Sequence, residues 1–251
     1  MNNDQLEKFK DESSKRILSY ENNHSLQESR KILFEEMNKV KYFYNFFWLG
    51  VPIIQSPQDM QAWQEIVWEV KPDLIIETGI AWGGSILFSA SLLKLLEVCG
   101  EIENGEVIGI DIDIRSHTKD IINNHPMSKC ITMFEGSSVD NKILEKIKHI
   151  AGSKKRILIM LDSNHTHEHV LAELKTYAPL VSLGSYIIAQ DTIVEDLSDD
   201  CVVDRPWCKG NNPKTAVFEF LKNNSDFEID KNIESKIMLT NSPDGFLKRI
   251  K

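Results

Sequence analysis

No apolar run in this sequence is long enough to cross a bilayer. The longest, Ile86 to Cys99, is broken by Lys94 and Glu97 and falls short of the roughly 20 residues a membrane helix needs, so no membrane span is expected. No secretory leader is expected either. The opening MNNDQLEKFKDESSKR is polar and mixed in charge, without the basic-then-apolar order of a signal, which predicts a cytoplasmic protein. Cysteine is scarce: Cys99, Cys130, Cys201 and Cys208 form no CxxC pair and have no histidines at zinc-site spacing, so reduced structural thiols are expected. Basic charge is in deficit, with 29 Lys and Arg against 38 Asp and Glu and a formal net charge of -9. That balance works against gathering phosphate backbones by counterion release, and no nucleic-acid partner is expected. There is no internal repeat and no long linker, so 251 residues predict one domain with a terminal extension.

The pattern along the chain divides it at about residue 55. Residues 1–55 predict an N-terminal helical extension, with Leu33, Phe34, Met37, Val40 and Phe43 at helical spacing, followed by an aromatic-rich segment, Tyr42 to Gln55, that covers the core or a ligand. Residues 56–251 predict the main domain. Ser56-Pro57 offers a helix start ahead of the stripe Met60, Trp63, Ile66, Val67 and Val70, and Pro72 ends that helix. Short apolar strands are then predicted at Asp73 to Glu77, Glu106 to Asp111, Ile131 to Glu135, Arg156 to Asp162 and Ser185 to Asp191. Helices are predicted between them at Ser85 to Val98, Ser116 to Asn123, Asp140 to Ala151, Thr166 to Ala178 and, last, Pro213 to Asn223. This alternation implies a mostly parallel sheet covered on both faces, an α/β protein. A closing hairpin is predicted from Lys236–Thr240 and Phe246–Ile250.

Ligands of open α/β sheets collect beyond the carboxyl ends of the strands, and here those ends are acidic. Glu77-Thr-Gly79-Ile-Ala-Trp-Gly83-Gly84-Ser85 places a carboxylate and then glycines before a helix, where backbone N–H groups are free and a ligand can approach closely. The spacing GxxxGG departs from the GxGxxG of dinucleotide sites and resembles the first motif of class I methyltransferases. Asp111, or Asp113 two residues on, is suited to the ribose hydroxyls of an adenosine, in NAD as well as in S-adenosylmethionine. Gly136-Ser137-Ser138 could border an adenine, and Ser138 and Asp140 are equally good helix caps.

Asp162, Gln190 and Asp191 end the last two of those strands and make a hard oxygen set suited to Mg2+. His165 lies three residues beyond Asp162, where a histidine can take the proton of a substrate hydroxyl; Asp162 and His165 are thus the candidate catalytic pair. Asp162 with His165, His167 or His169 also fits the two-histidine, one-carboxylate set of non-haem iron oxygenases, and a catalytically silent cofactor-binding protein is a further alternative. The loop Asp204 to Pro213, with Arg205, Trp207 and Asn211, is the candidate substrate loop; Trp207 either stacks on a sugar or anchors the loop.

The segments YNFFWLGVPIIQSPQDMQAWQEIVWEVKPDLIIETGIAWGGS, LDSNHTHEHV and DRPWCKGNNPKTAVFEFL together resemble the cephalosporin hydroxylase family, which includes rhamnosyl and macrolide-sugar O-methyltransferases. The resemblance runs from about Tyr42 to the C-terminus. It implies a Rossmann-like class I methyltransferase fold with a mostly parallel seven-stranded sheet, helices on both faces and an N-terminal helical extension. It also implies S-adenosylmethionine and Mg2+ as cofactors, and methylation of a sugar hydroxyl in a surface polysaccharide or a glycosylated metabolite; separately, the aromatic cluster Tyr42 to Trp48 either packs between subunits of a homo-oligomer or covers the cofactor. Carried over by position, Glu77, Gly79 and Asp111 would hold the cofactor, with Gly83, Ser85, Ser138 and Asp162 bordering it. Asp162 and Asp191 would bind metal and His165 would be the base. One departure stands out: the position before Asp191 is often Glu in that family and is Gln190 here.

Overall fold

The computed structural model describes residues 3–198 and 204–251; Cys201 and the start of the polar loop before Asp204 lie outside them. The chain opens with helices α1 (Asn3–Glu21) and α2 (His24–Lys39). Asn23 caps α2, its side chain accepting from the Leu26 N–H at 3.1 Å, which satisfies a donor the first turn leaves free. On α2, Phe34 meets Phe43 with ring centroids 5.4 Å apart and joins Leu197 in a small satellite core.

The aromatic-rich segment folds as an antiparallel hairpin of β1 (Phe46–Trp48) and β2 (Val51–Ile53), turning at Leu49 and Gly50, both at positive φ. The sequence pattern did not predict these strands. Helix α3 (Pro57–Val70) follows, with Ser56 Oγ accepting from the Asp59 N–H at 2.9 Å and a left-handed Lys71 ending it ahead of Pro72. Then come β3 (Leu74–Thr78), α4 (Gly84–Val98), β4 (Glu106–Asp111), α5 (Ser116–Asn124), β5 (Ile131–Glu135), α6 (Asn141–Ala151), β6 (Ile157–Leu161), α7 (His167–Tyr177) and β7 (Tyr186–Ala189). Helix α8 (Pro213–Lys222), β8 (Phe227–Ile229), α9 (Lys231–Ile237) and β9 (Phe246–Arg249) complete the chain. Trp48 locks the hairpin onto α4, edge-on to Phe88 at 4.6 Å and donating from Nε1 to Ser91 Oγ at 3.0 Å. A Cβ on Gly84 would lie 2.2 Å from the Pro52 carbonyl oxygen, so glycine alone lets the hairpin and the helix start approach this closely.

Among the described residues the main sheet has seven strands in the order β5-β4-β3-β6-β7-β9-β8. The first five pair in parallel, and β9 runs antiparallel to both β7 and β8. Side chains alternate between two cores, as a pleated strand requires. Ile75, Val107, Leu158, Met160 and Ile188 face α3 and α4, whereas Ile76, Ile108, Ile159, Leu161 and Ile187 face α6, α7 and α8. Burying each such side chain contributes about 1.5–3 kcal/mol, which explains why the central strands read as continuous apolar runs. Strand order reverses at β3: the chain moves outward through β4 to β5, then returns to place β6 on the other side of β3. This switch point opens a crevice at the carboxyl ends of β3 and β6.

The predicted closing hairpin is corrected. Lys236 and Ile237 end helix α9, capped by Asp230, and Met238 at φ 60° stops it. Ile233 and Ile237, four apart, pack on the first core. Strand β9 lies between β7 and β8, so both its edges are filled and no edge remains for residues 236–240.

Candidate active site

The crevice at the switch point is a cavity of about 470 Å3 whose lining includes Gly79, Asp111, Gly136, Ser138, Asp162 and Trp207. The loop from β3 to α4 forms its near wall. Gly79 has φ +90°, and a Cβ there would sit 2.0 Å from the Asp162 carbonyl oxygen, so the strand ends meet only because this residue is glycine. Asp111 fastens the same loop, with Oδ2 accepting from the Ile80 N–H at 2.8 Å and the Ala81 N–H at 3.2 Å and Oδ1 accepting from the Asp113 N–H at 3.1 Å. Asp113 itself is exposed, so Asp111 is the carboxylate built into the cavity.

Glu77 lies beneath the loop, 1% exposed. Trp63 Nε1 donates to Ser89 Oγ at 2.9 Å, and Ser89 Oγ donates to Glu77 Oε1. Oε2 is buried without a hydrogen-bond partner among the described residues. Burial pushes the Glu77 carboxyl up to about 7, against the opposing hydrogen bonds from Ser89 and Ser85. Ser85 therefore acts on Glu77 from the start of α4, and Gly83, at φ +91°, is the left-handed residue that opens that helix.

Three predicted side chains converge where β6 and β7 end. His165 Nε2 is 3.2 Å from Asp191 Oδ2 and 4.0 Å from Asp162 Oδ1, and one donor atom from each residue falls within 4.8 Å of the others. Asp191 adopts φ 56° just past β7, a conformation Asp tolerates better than most residues. Burial, and then the neighbouring Asp191 and Glu77, hold the Asp162 carboxyl well above the ordinary carboxylate range. Two carboxylates and one imidazole, with like charges crowded together, are a donor set that a divalent cation relieves, so the residues fit Mg2+ or a neighbouring divalent ion.

Gln190 departs from its predicted role. Its amide oxygen accepts from Ser242 Oγ at 2.6 Å and its amide nitrogen faces Met160 Sδ at 3.2 Å, so the side chain ties β7 to the turn before β9 and does not join the cluster. The iron-oxygenase set is not assembled either. His167 bonds Thr215 Oγ1 and Glu219 Oε2 at 2.8 and 3.1 Å, and His169 faces Glu173 Oε1 at 3.4 Å. Of these three histidines, only His165 joins the two carboxylates.

The candidate substrate loop leans over this cluster. Trp207 meets the His165 ring edge-on at 4.7 Å, and Arg205 lies 5.3 Å from the centre of the Trp207 ring. Asn211 anchors the loop: its Oδ1 accepts from the His167 N–H at 3.0 Å and its Nδ2 donates to the Pro206 carbonyl at 3.0 Å. Gln55, the last residue of the segment expected to cover the core or a ligand, was not singled out by the sequence; its Nε2 donates to Asp162 Oδ2 at 3.3 Å. A larger cavity of about 600 Å3 lies between α2 and residues 193–197, walled by Arg30, Lys31, Glu195 and Lys214; none of the strand-end carboxylates lines it.

The fold is that of the class I methyltransferases. An apo structure of CmcI superposes with a TM-score of 0.59 at 21% identity, covering 83% of this chain and 77% of that one. A structure of CmcI with Mg and SAM gives 0.57 at 20% identity over 83% and 78%. The chain belongs to the rhamnosyl O-methyltransferase/CmcI family, whose model matches residues 40–250. A relative from Mycobacterium leprae, a rhamnosyl O-methyltransferase, is 29% identical over 83% of this chain and 88% of its own length.

Proposed function

We propose that this protein is an S-adenosylmethionine-dependent O-methyltransferase that methylates a hydroxyl of a sugar. The observation that carries the proposal is the meeting of Asp162, His165 and Asp191 beside a cavity lined by Gly79, Asp111 and Ser138, in a chain of this family. Asp111 and the Gly79 loop hold the adenosyl cofactor, with Asp162 bordering it, and Asp162 and Asp191 hold Mg2+. When bound, the cofactor supplies an electrophilic methyl group on a sulfonium, and the cation supplies positive charge that lowers the pKa of a nearby hydroxyl.

The chain's own residues then have separable tasks. The His165 imidazole takes the proton of the acceptor hydroxyl as it attacks, and Asp191, 3.2 Å from its Nε2, stabilises the imidazolium that results. Gln55 fixes the rotamer of Asp162 through its hydrogen bond. Trp207, set against His165, offers a flat apolar face for a sugar ring, and the tethered loop shields the reacting atoms from water.

Exposed apolar side chains on α2 and the hairpin segment, among them Ile32, Leu33, Val40, Tyr44 and Phe47, support assembly as a homo-oligomer, which light scattering of the purified protein tests. Among the described residues no helix is long and apolar enough to cross a membrane, and we place the reaction in the cytoplasm, where the cofactor is made. The deciding experiment is calorimetric titration with S-adenosylmethionine, in magnesium and in EDTA, with NAD as the control ligand, followed by turnover with sugar acceptors. Saturable binding of S-adenosylmethionine and none of NAD is expected. Binding of NAD alone, or of neither, refutes the assignment.

A further inference from the structure

The cavity of about 600 Å3 between α2 and residues 193–197 takes no part in the chemistry above, yet its size is that of a small-molecule site. Gln27, Arg30, Lys31 and Phe34 line it from one face of α2, spaced three and four apart. Its other walls begin close to the catalytic cluster. Ile193 is two residues past Asp191 and Lys209 is two past Trp207, and two residues span at most about 7 Å of chain.

Charge on these walls is unevenly committed. Four carboxylates line the cavity, and three of them already have partners. Asp196 pairs with Lys214 and Glu234 with Lys231, while Glu195 Oε2 accepts from the Gly210 N–H at 2.8 Å and from Asn212 Nδ2. Of the four cations on the walls, only Lys214 is paired. The side chains of Arg30, Lys31 and Lys209 make no hydrogen bond or ion pair among the described residues, and Glu35 is the one lining carboxylate in the same condition. Arg30 is half-buried. A guanidinium fork in a concave wall matches the paired oxygens of a phosphate, and ammonium groups on the same walls add charge without demanding one geometry. In a chain of net charge -9, three uncommitted cations around one cavity run against the general field.

We infer that this cavity binds the phosphate of a phosphate-bearing sugar acceptor, with Arg30 as the principal contact and Lys31 and Lys209 completing the positive rim. The inference rests on the sugar O-methyltransferase reading above, in which the reacting hydroxyl lies at His165 and the sugar ring against Trp207. The same phosphoryl chemistry comes from two sources, a nucleoside diphosphate that carries the sugar or a phosphodiester within a glycan.

The test is calorimetry of the full chain with inorganic pyrophosphate, in EDTA to keep cations from Asp162 and Asp191 and with S-adenosylhomocysteine saturating the crevice. Wild type should bind pyrophosphate saturably at millimolar or lower concentration. Arg30→Gln should weaken binding by about tenfold or more, the worth of a charge-assisted hydrogen bond, and Lys31→Gln and Lys209→Gln by up to about fivefold each. Glu35→Gln removes the uncommitted carboxylate and should tighten binding by up to about fivefold, a gain that misfolding cannot produce. Lys155→Gln, which removes a positive charge just ahead of β6, should leave binding unchanged. Uridine diphosphate separates the sources: binding at least about tenfold tighter than pyrophosphate points to a nucleotide carrier, and equal binding to phosphate within a glycan. Absence of pyrophosphate binding, or binding unchanged in both Arg30→Gln and Glu35→Gln, overturns the inference while leaving the cofactor assignment intact. A wild-type protein that binds no S-adenosylhomocysteine overturns the function on which the acceptor assignment rests.

Discussion

His165 Nε2 stands 3.2 Å from Asp191 Oδ2, a pairing between the loop after β6 and the end of β7 that gives an imidazole an acidic partner beside the cavity. His165→Ala is expected to lower kcat by about 10²–10⁴-fold, the range for loss of a general base. His165 does not line the cavity, so affinity for S-adenosylhomocysteine should stay within about threefold of wild type, as a residue outside the binding contacts predicts. Steady-state kinetics with calorimetry separates the two effects, and undiminished turnover would remove His165 from the mechanism.

Gln190 immediately precedes Asp191, and its amide is occupied by Ser242 and Met160. Gln190→Glu places a further carboxylate in a buried position beside Asp191 and sets an oxygen against the Met160 sulfur, to which the amide N–H now donates. In EDTA this variant should be less stable by roughly 1–3 kcal/mol, read as a lower urea midpoint. If it proves as stable as wild type in EDTA, a further carboxylate at this position carries no burial cost.

Trp207 bears on the reaction through its edge-on contact with His165. An aromatic pair of this kind contributes about 0.5–1.5 kcal/mol, so Trp207→Ala should reduce kcat/KM for the acceptor by up to roughly tenfold, and Trp207→Phe should recover most of it. Equal losses in both variants would show that the indole N–H or the ring's breadth matters, not the contact.

Asp59 supplies a pH signature outside the site. It is buried under the turn at Thr240–Ser242, accepting from Thr240 Oγ1, from the Asn241 N–H at 2.9 Å and from Ser56 Oγ at 2.8 Å. Burial lifts its pKa from 3.8 to about 6, against those three donors. The folded carboxyl thus holds its proton to higher pH than the unfolded one, and the folded state binds more protons in between. Stability from this group is therefore full below about pH 4 and is lost as pH rises through about 6. The total is at most about 3 kcal/mol. Asp59→Asn does not titrate, so the stability of wild type relative to this variant should fall between about pH 4 and pH 7 in urea titrations. A flat or rising difference would contradict the shift.

Much of the fold was legible because it depends on local pattern. Helix α3 begins at Ser56-Pro57 and ends at Lys71 ahead of Pro72 because capping and proline chemistry act within a few residues. The parallel strands appear where apolar runs are bounded by helical stripes. The β1–β2 hairpin escaped notice because its strands are three residues each and their aromatic side chains read equally well as a cover. The closing strand was paired with the wrong segment for a different reason: Phe227–Ile229, its actual neighbour, and residues 236–240 are similar in composition, and only competition for the edge of β9 separates them.

By itself the sequence determined the alternation of strands and helices, the acidic strand ends Glu77, Asp111, Asp162 and Asp191, and the glycines that let those ends meet, since each follows from the chemistry of a few adjacent residues. Only the tertiary structure decided which side chains face one another. It directed His165 to Asp191 and sent His167 to Glu219 and His169 to Glu173, turned Gln190 away to Ser242, and brought Gln55 across to Asp162. The three histidines differ by two positions in sequence, yet they point to different partners because α7 begins among them and its packing against α8 and the sheet fixes a separate direction for each.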